Sequence, residues 1–194
     1  MNLERFDLKD ANLEYYSEFL NKKAADEFLI SMLNWSYWRH DKIKLFGKKI
    51  YQPRLTALFG ESGKFYKYSG LEMKPLPFPQ EIEELKTKIE EFTNKNFNIV
   101  LANLYRDGKD SMGWHSDDEK ELGTKPAIAS VSFGAERIFH LKHKTQKSLK
   151  HKIRLQHGSL LIMKGSTQEF WKHQLPKTKK KIEPRINLTF REIV

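Results

Sequence analysis

From Phe97 to the C-terminus the chain breaks into short apolar runs of period two, each stopped by turn residues. That period belongs to strands, whose successive side chains face opposite sides of a sheet. Residues 97–105 form the first run, ended by Arg106-Asp107-Gly108. Residues 127–133 and 137–143 flank Gly134-Ala135-Glu136 and read as a hairpin. Residues 152–155, 159–163, 170–175 and 185–190 supply four more candidate strands. The earlier half carries a different signal. Ala24, Phe28, Leu29, Met32 and Leu33 recur at helical spacing and Asn34 is a stop, so the N-terminal part reads as helix. Ile82, Leu85, Ile89 and Phe92 mark an amphipathic helix from about residue 80 to 93, with Pro79 ahead of its first turn. Residues 35–68 between them read as short strands and turns, interrupted by Gly47, Pro53, Gly60 and Gly63. Helices followed by many short strands predict an α+β chain with an antiparallel sandwich or barrel. A length of 194 residues suits one domain.

The chain has no cysteine. That excludes a disulfide scaffold, a thiolate zinc finger, an iron–sulfur site and a cysteine nucleophile, so any metal must be held by His and carboxylate. Residues 1–10 are charged throughout, and no apolar run approaches the ~18 residues of a membrane span. The expectation is a soluble cytoplasmic protein, nuclear in a eukaryote. Thirty-five Lys and Arg against twenty-five Asp and Glu give a net charge of +10, and the excess is uneven. Residues 137–168 contain no acid but hold Arg137, Lys142, Lys144, Lys147, Lys150, Lys152, Arg154 and Lys164. Lys177, Lys179, Lys180 and Lys181 form a second cluster. Two such runs predict a phosphate-tracking surface.

His115-Ser116-Asp117 is the most informative tripeptide. On a strand, positions i and i+2 face one side, so an imidazole and a carboxylate could grip one ion. His140, His143, His151, His157 and His173 are candidates for the third ligand, and His173 stands in an aromatic-rich strand rather than in the lysine loop. Two His and one carboxylate form the facial triad of non-heme Fe(II) oxygenases. Arg185, Asn187, Thr189 and Arg191 share one face of the last strand. Two inward guanidiniums need anions, and a dicarboxylate at the metal would satisfy both. Asn103 and Tyr105 share a face of their own strand and could donate hydrogen bonds to it.

Asn103-x-Tyr105, His115-x-Asp117, the strand over residues 126–134, His157-Gly158-Ser159-Leu160, His173 and Arg185-x-Asn187-x-Thr189-Phe190-Arg191 together resemble the AlkB family. These are Fe(II)- and 2-oxoglutarate-dependent dioxygenases that demethylate nucleic-acid bases. The resemblance spans roughly residues 45–192 and is closest to the subgroup acting on alkylated double-stranded DNA. It implies a double-stranded β-helix (jelly-roll) core from about residue 96 to 194. N-terminal helices would pack on that core, with a nucleotide-recognition lid before residue 95. It implies Fe(2+), 2-oxoglutarate and O2 as metal and cosubstrates. His115, Asp117 and His173 would be the metal ligands and the catalytic set. Arg185 would pair with the distal carboxylate of 2-oxoglutarate and Arg191 with the end near the metal, aided by Asn103, Tyr105, Asn187 and Thr189.

The resemblance extends to the substrate. Tyr66 and Tyr68 resemble the aromatic lid, Glu119 an acidic position facing the base, and Phe46 the finger that fills the gap left by a flipped base. Arg54 would lie near that pocket, and Lys147, Lys150 and Lys152 would hold phosphates. The implied reaction is oxidative demethylation of bases such as 1-methyladenine and 3-methylcytosine in alkylated DNA, by a monomer with no membrane partner. Two alternatives stand beside it: the same chemistry on RNA or another methylated substrate, and a non-enzymatic basic jelly roll that binds nucleic acid.

Overall fold

Asn21 begins the first helix by accepting a hydrogen bond from the Ala24 amide at 2.9 Å, the usual satisfaction of an orphan N–H. The computed structural model describes residues 2–45, 47–63, 66–68 and 71–194 of the chain. In chain order these form β1 (Leu3–Arg5), β2 (Asn12–Tyr16), α1 (Lys22–Leu33), β3 (Lys42–Leu45), β4 (Lys48–Tyr51), β5 (Leu55–Gly60), β6 (Tyr66–Tyr68), β7 (Leu71–Met73) and α2 (Gln80–Thr93). Then follow β8 (Ile99–Tyr105), β9 (Met112–His115), β10 (Ile128–Gly134), β11 (Arg137–His143), β12 (Lys150–Leu155), β13 (Ser159–Lys164), the single turn α3 (Thr167–Phe170), β14 (Trp171–Leu175) and β15 (Arg185–Arg191).

Two antiparallel sheets face one another. The larger has the order β1-β2-β13-β10-β15-β8-β5 and the smaller β12-β11-β14-β9. Strand alternation divides the apolar residues between two cores. On β15, Ile186, Leu188 and Phe190 point outward beneath α1 and α2, together with Val100, Ala102 and Leu104 of β8. Leu101, Leu141, Ile153, Leu161 and Trp171 fill the space between the sheets. Each fully buried side chain of this size contributes roughly 1.5–3 kcal/mol. α2 buries Ile82, Leu85 and Ile89, the stripe its periodicity predicts, and places Glu81 and Glu83 in its first turn, where the helix dipole favours them. This two-sheet arrangement is the expected jelly-roll core.

Two local expectations change. The N-terminal stretch is not helical from its start. β2 runs beside β13 in the large sheet, and only residues after Asn21 form α1. Five residues of β2 carry too little periodicity to declare a strand whose partner lies near residue 160. Gly134-Ala135-Glu136 is not a hairpin either. β10 pairs with β13 and β15, whereas β11 pairs with β12 and β14, so the tripeptide is a corner between sheets. Gly134 turns it with φ of 81°, and its missing Cβ leaves room for the Pro184 carbonyl. A short turn between two runs looks alike in sequence whether the chain folds back or crosses over. β2 and β5, from the first 95 residues, are strands of the large sheet rather than parts of a separate N-terminal layer.

Candidate metal centre

β14 lies between β11 and β9 and brings His173 directly opposite His115. The two Nε2 atoms stand 3.0 Å apart. This meeting depends on a bulge. His115 and Met112 pair with His173 and Leu175, so β9 spends three residue steps where β14 spends two. In a regular strand Met112 and His115 would face opposite sides. The extra residue puts both toward the cavity between the sheets and turns Trp114 outward. The Nδ1–H of His115 donates to the Gly113 carbonyl at 2.8 Å, which leaves its Nε2 lone pair for a ligand.

Asp117 reaches the same point by a different route from the expected one. β9 ends at His115, so strand alternation does not place the carboxylate. The Asp117 amide donates to Gln168 Oε1 at 2.9 Å, and Ser116 Oγ donates to the Trp171 carbonyl at 2.9 Å. Arg191 Nη2 donates to Asp117 Oδ2 at 3.0 Å. Oδ1 then faces His115 Nε2 at 3.7 Å and His173 Nε2 at 4.0 Å, buried and without a hydrogen-bond partner. The ligating atoms of all three residues lie within 4.8 Å of one another.

The donor set fits a divalent ion. Burial, with the neighbouring His115 adding to it, pushes His173 down to about 3, so it is neutral at physiological pH. Burial likewise lowers His115, against the pull of Asp117. Burial alone would raise Asp117, but Arg191, His173 and His115 together outweigh it and hold the carboxylate at about 2. Two neutral imidazoles and one ionised carboxylate therefore converge on one point. Neutral His and ionised carboxylate are the forms that ligate a divalent cation.

The rest of the cavity is polar on one wall. Asn103, Tyr105, Arg185, Asn187, Thr189 and Arg191 line it with the three candidate ligands. Register explains the wall: Arg185 pairs with Tyr105 and Asn187 with Asn103 across β15 and β8, all on the inner face. Arg185 is 2% exposed, lies over the Tyr105 ring at 5.4 Å, and donates to Ser132 Oγ at 2.9 Å. Its Nε has no hydrogen-bond partner, and no carboxylate forms an ion pair with it among the described residues. Burial lowers it to about 10. Asn187 donates to Ser130 Oγ and the Val131 carbonyl and accepts from Thr189 Oγ1, so these two residues are braced by the protein itself.

The residues expected to meet a substrate are more scattered. Arg54 is buried and its Nε donates to Asn103 Oδ1 at 2.7 Å, so it supports the polar wall from behind. Glu119 follows Asp117 by two residues and precedes the 3-10 turn Lys120–Leu122. Lys147 lies in the β11–β12 loop, while Lys150 and Lys152 project from β12; all three are exposed and outside the cavity. Phe46 and the side chains of Tyr66 and Tyr68 lie outside the described residues.

Gln168 escapes a sequence reading, because nothing in its spacing links it to Asp117, fifty-one positions away. It is 1% exposed on α3, and its Nε2 donates to Met163 Sδ. Lys144 Nζ strengthens the same junction, donating to Asp118 Oδ2 at 3.0 Å and to the Gln168 carbonyl at 2.9 Å. Gln168→Leu is expected to weaken metal binding by about 10–100-fold, the usual penalty for losing an outer partner of a ligand. Titration with Mn(II) would measure it, and an unchanged Kd would remove the assignment.

Comparison with known proteins agrees with this geometry. The model of the 2OG-Fe(II) oxygenase superfamily matches residues 12–191. Human alpha-ketoglutarate-dependent dioxygenase alkB homolog 3 is 43% identical over 187 residues, covering 92% of this chain and 65% of that protein. Human DNA oxidative demethylase ALKBH2 is 42% identical over 189 residues, covering 92% of this chain and 72% of that protein. The bovine alkB homolog 3 is 49% identical over 151 residues, 73% of this chain and 52% of its own length. The chain thus spans between about half and three quarters of these relatives. Among solved structures, OsALKBH1 superimposes with a TM-score of 0.69 at 16% identity, covering 98% of this chain and 100% of that one. At that identity the likeness concerns the fold alone.

Proposed function

Because this chain belongs to the 2OG-Fe(II) oxygenase superfamily and, within it, to the AlkB family, we propose that it is an oxidative demethylase of N-alkylated bases in DNA. One observation carries the reading: three candidate ligand atoms and a buried guanidinium with no carboxylate partner among the described residues share one cavity. Bound there, Fe(II) with 2-oxoglutarate and O2 supplies hydroxylation of an N-methyl group, with succinate, CO2 and formaldehyde as products.

The chain's own residues do the placing. His115, Asp117 and His173 would hold the ion. Arg185 takes the distal carboxylate of the cosubstrate in a buried, charge-assisted pair, and the Tyr105 ring keeps the guanidinium oriented toward it. Arg191 holds Asp117 in its ligating rotamer and presents positive charge to the cosubstrate end beside the metal. The apolar residues between the sheets keep bulk water from the back of the cavity. A methyl on a Watson–Crick edge is inaccessible in a duplex, so the base must leave the stack, and a lesion that blocks pairing lowers that cost. Lesions that block pairing, such as 1-methyladenine and 3-methylcytosine, are the substrates this argument favours, and the relatives named as a DNA oxidative demethylase support DNA as the substrate.

The test is formaldehyde release with Fe(II) and 2-oxoglutarate on oligonucleotides carrying 1-methyladenine or 3-methylcytosine. Duplex DNA, single-stranded DNA and RNA should be compared. Lesion-dependent formaldehyde equal to succinate is expected on DNA. Cosubstrate turnover that no methylated DNA stimulates would sink the reading, and faster turnover on RNA would move the substrate there.

A further inference from the structure

We infer that the outer face of the four-stranded sheet is a second nucleic-acid contact, a strip of lysines and one tryptophan that tracks the phosphate backbone outside the metal cavity. The inference rests on the proposed substrate class and concerns a surface on the far side of the sheet from the chemistry.

The register of three strands builds the strip. Lys142 on β11 pairs with Lys150 on β12 and with Lys172 on β14. Three lysines therefore stand in one row across three adjacent strands. The next row sets Lys152 opposite His140, and His140 opposite Gln174. The bulge in β9 turns Trp114 onto the same face, 37% exposed, with Lys142 Nζ 4.2 Å from its ring centre.

Like charges directly opposite one another on neighbouring strands are destabilising. Folds ordinarily relieve such a row by interleaving acids. Here none of Lys142, Lys150, Lys152 and Lys172 forms an ion pair with an acid among the described residues. Glu136, at the end of the face, is engaged by Arg154. The face lies within the acid-free stretch of sequence, apart from Lys172, Gln174 and Trp114. Rows of cations beside an exposed aromatic ring suit a nucleic-acid strand, whose phosphates need the charge and whose bases can stack. An anionic membrane would use the charge and leave the ring without a role.

Position adds to the argument. Trp114 precedes His115 and Lys172 precedes His173, so the strip and the metal centre occupy opposite faces of the same two strands. A strand held there lies one sheet thickness from the site of reaction.

The experiment is binding of an unmethylated single-stranded oligonucleotide by fluorescence anisotropy across a salt series. The proteins are wild type, Lys142→Gln/Lys172→Gln and Lys142→Arg/Lys172→Arg. Each lost phosphate contact reduces the slope of log K against log salt by about 0.7 on single strands, so the glutamine pair should lower it by about 1.4. The arginine pair should retain the wild-type slope, and an unchanged metal-induced shift in Tm would show that both variants are folded. An unchanged slope in the glutamine pair overturns the strip. So does loss of binding to phosphatidylserine vesicles with no change toward the oligonucleotide, since the face would then belong to a membrane. Formaldehyde release by the wild type is scored separately: its failure overturns the demethylase reading, while a slope result concerns only the strip.

Discussion

Asp117→Ala is expected to abolish metal-dependent stabilisation and to reduce 2-oxoglutarate turnover to background. Asp117 is the only anionic member of the three-residue cluster, since burial keeps both imidazoles neutral. Without it a dication would meet two neutral nitrogens and the nearby positive charge of Arg191. The substitution also breaks a buried ion pair, whose partners are 1% and 3% exposed. Breaking such a pair costs about 3–5 kcal/mol, because the remaining charge stays buried. A fall in Tm alone would therefore not separate metal binding from folding. Asp117→Ala combined with Arg191→Met replaces the pair with apolar groups and should recover much of the lost stability. It should recover no metal binding and no turnover. Near-normal turnover in either variant would sink the ligand assignment.

Arg185→Met should produce the opposite combination, a protein at least as stable alone but poor at holding its cosubstrate. Among the described residues only Ser132 and the Tyr105 ring satisfy the buried Arg185, and burial already pulls it to about 10. A guanidinium in that setting is costly until a carboxylate arrives. Methionine fills similar space without a charge. Removing one side of a buried charged pair costs about 2–5 kcal/mol of binding, so KM for 2-oxoglutarate should rise roughly 30-fold to several thousand-fold. Saturating cosubstrate at about 100 times Kd stabilises a protein by ~2.7 kcal/mol, and the variant should lose that increment at the same concentration. Metal affinity should persist, because Arg185 forms no hydrogen bond or ion pair with the three ligands. A variant with unaltered KM would move the distal carboxylate elsewhere, and one that unfolds would show that the guanidinium is structural.

Much of the site could be read before any coordinates. Arg185, Asn187, Thr189 and Arg191 alternate with Ile186, Leu188 and Phe190, so one strand declares both a polar wall and an apolar back. α2 announced its bounds through Pro79 and its stripe of Ile82, Leu85 and Ile89. These signals are local, because side-chain direction follows from backbone period alone. The identity of His173 as the third ligand was narrowed by its aromatic surroundings and then supplied by family resemblance.

Other features depend on which segments meet. Gly134-Ala135-Glu136 could be a hairpin or a corner until the pairing of β10 and β11 is known. Asp117 lies beyond the strand that holds His115, and its carboxylate is aimed by Gln168 and Arg191, far away in the chain. The β9 bulge has no mark in the sequence, yet it decides that His115 faces inward and Trp114 outward. The charge excess was legible as a block, but its arrangement as a cross-strand row was not, because register is set by tertiary pairing.

By itself, then, the chain's alternation pointed to a strand-rich fold, and its missing cysteines required that any metal be held by nitrogen and oxygen ligands such as those of its His-x-Asp tripeptide. Only the tertiary structure decided that three ligand atoms lie within 4.8 Å of one another and that Arg185 meets no carboxylate among the described residues. The reason is physical: period and composition specify which way a side chain points, while distance between remote residues is settled by how two sheets pack and where one strand bulges.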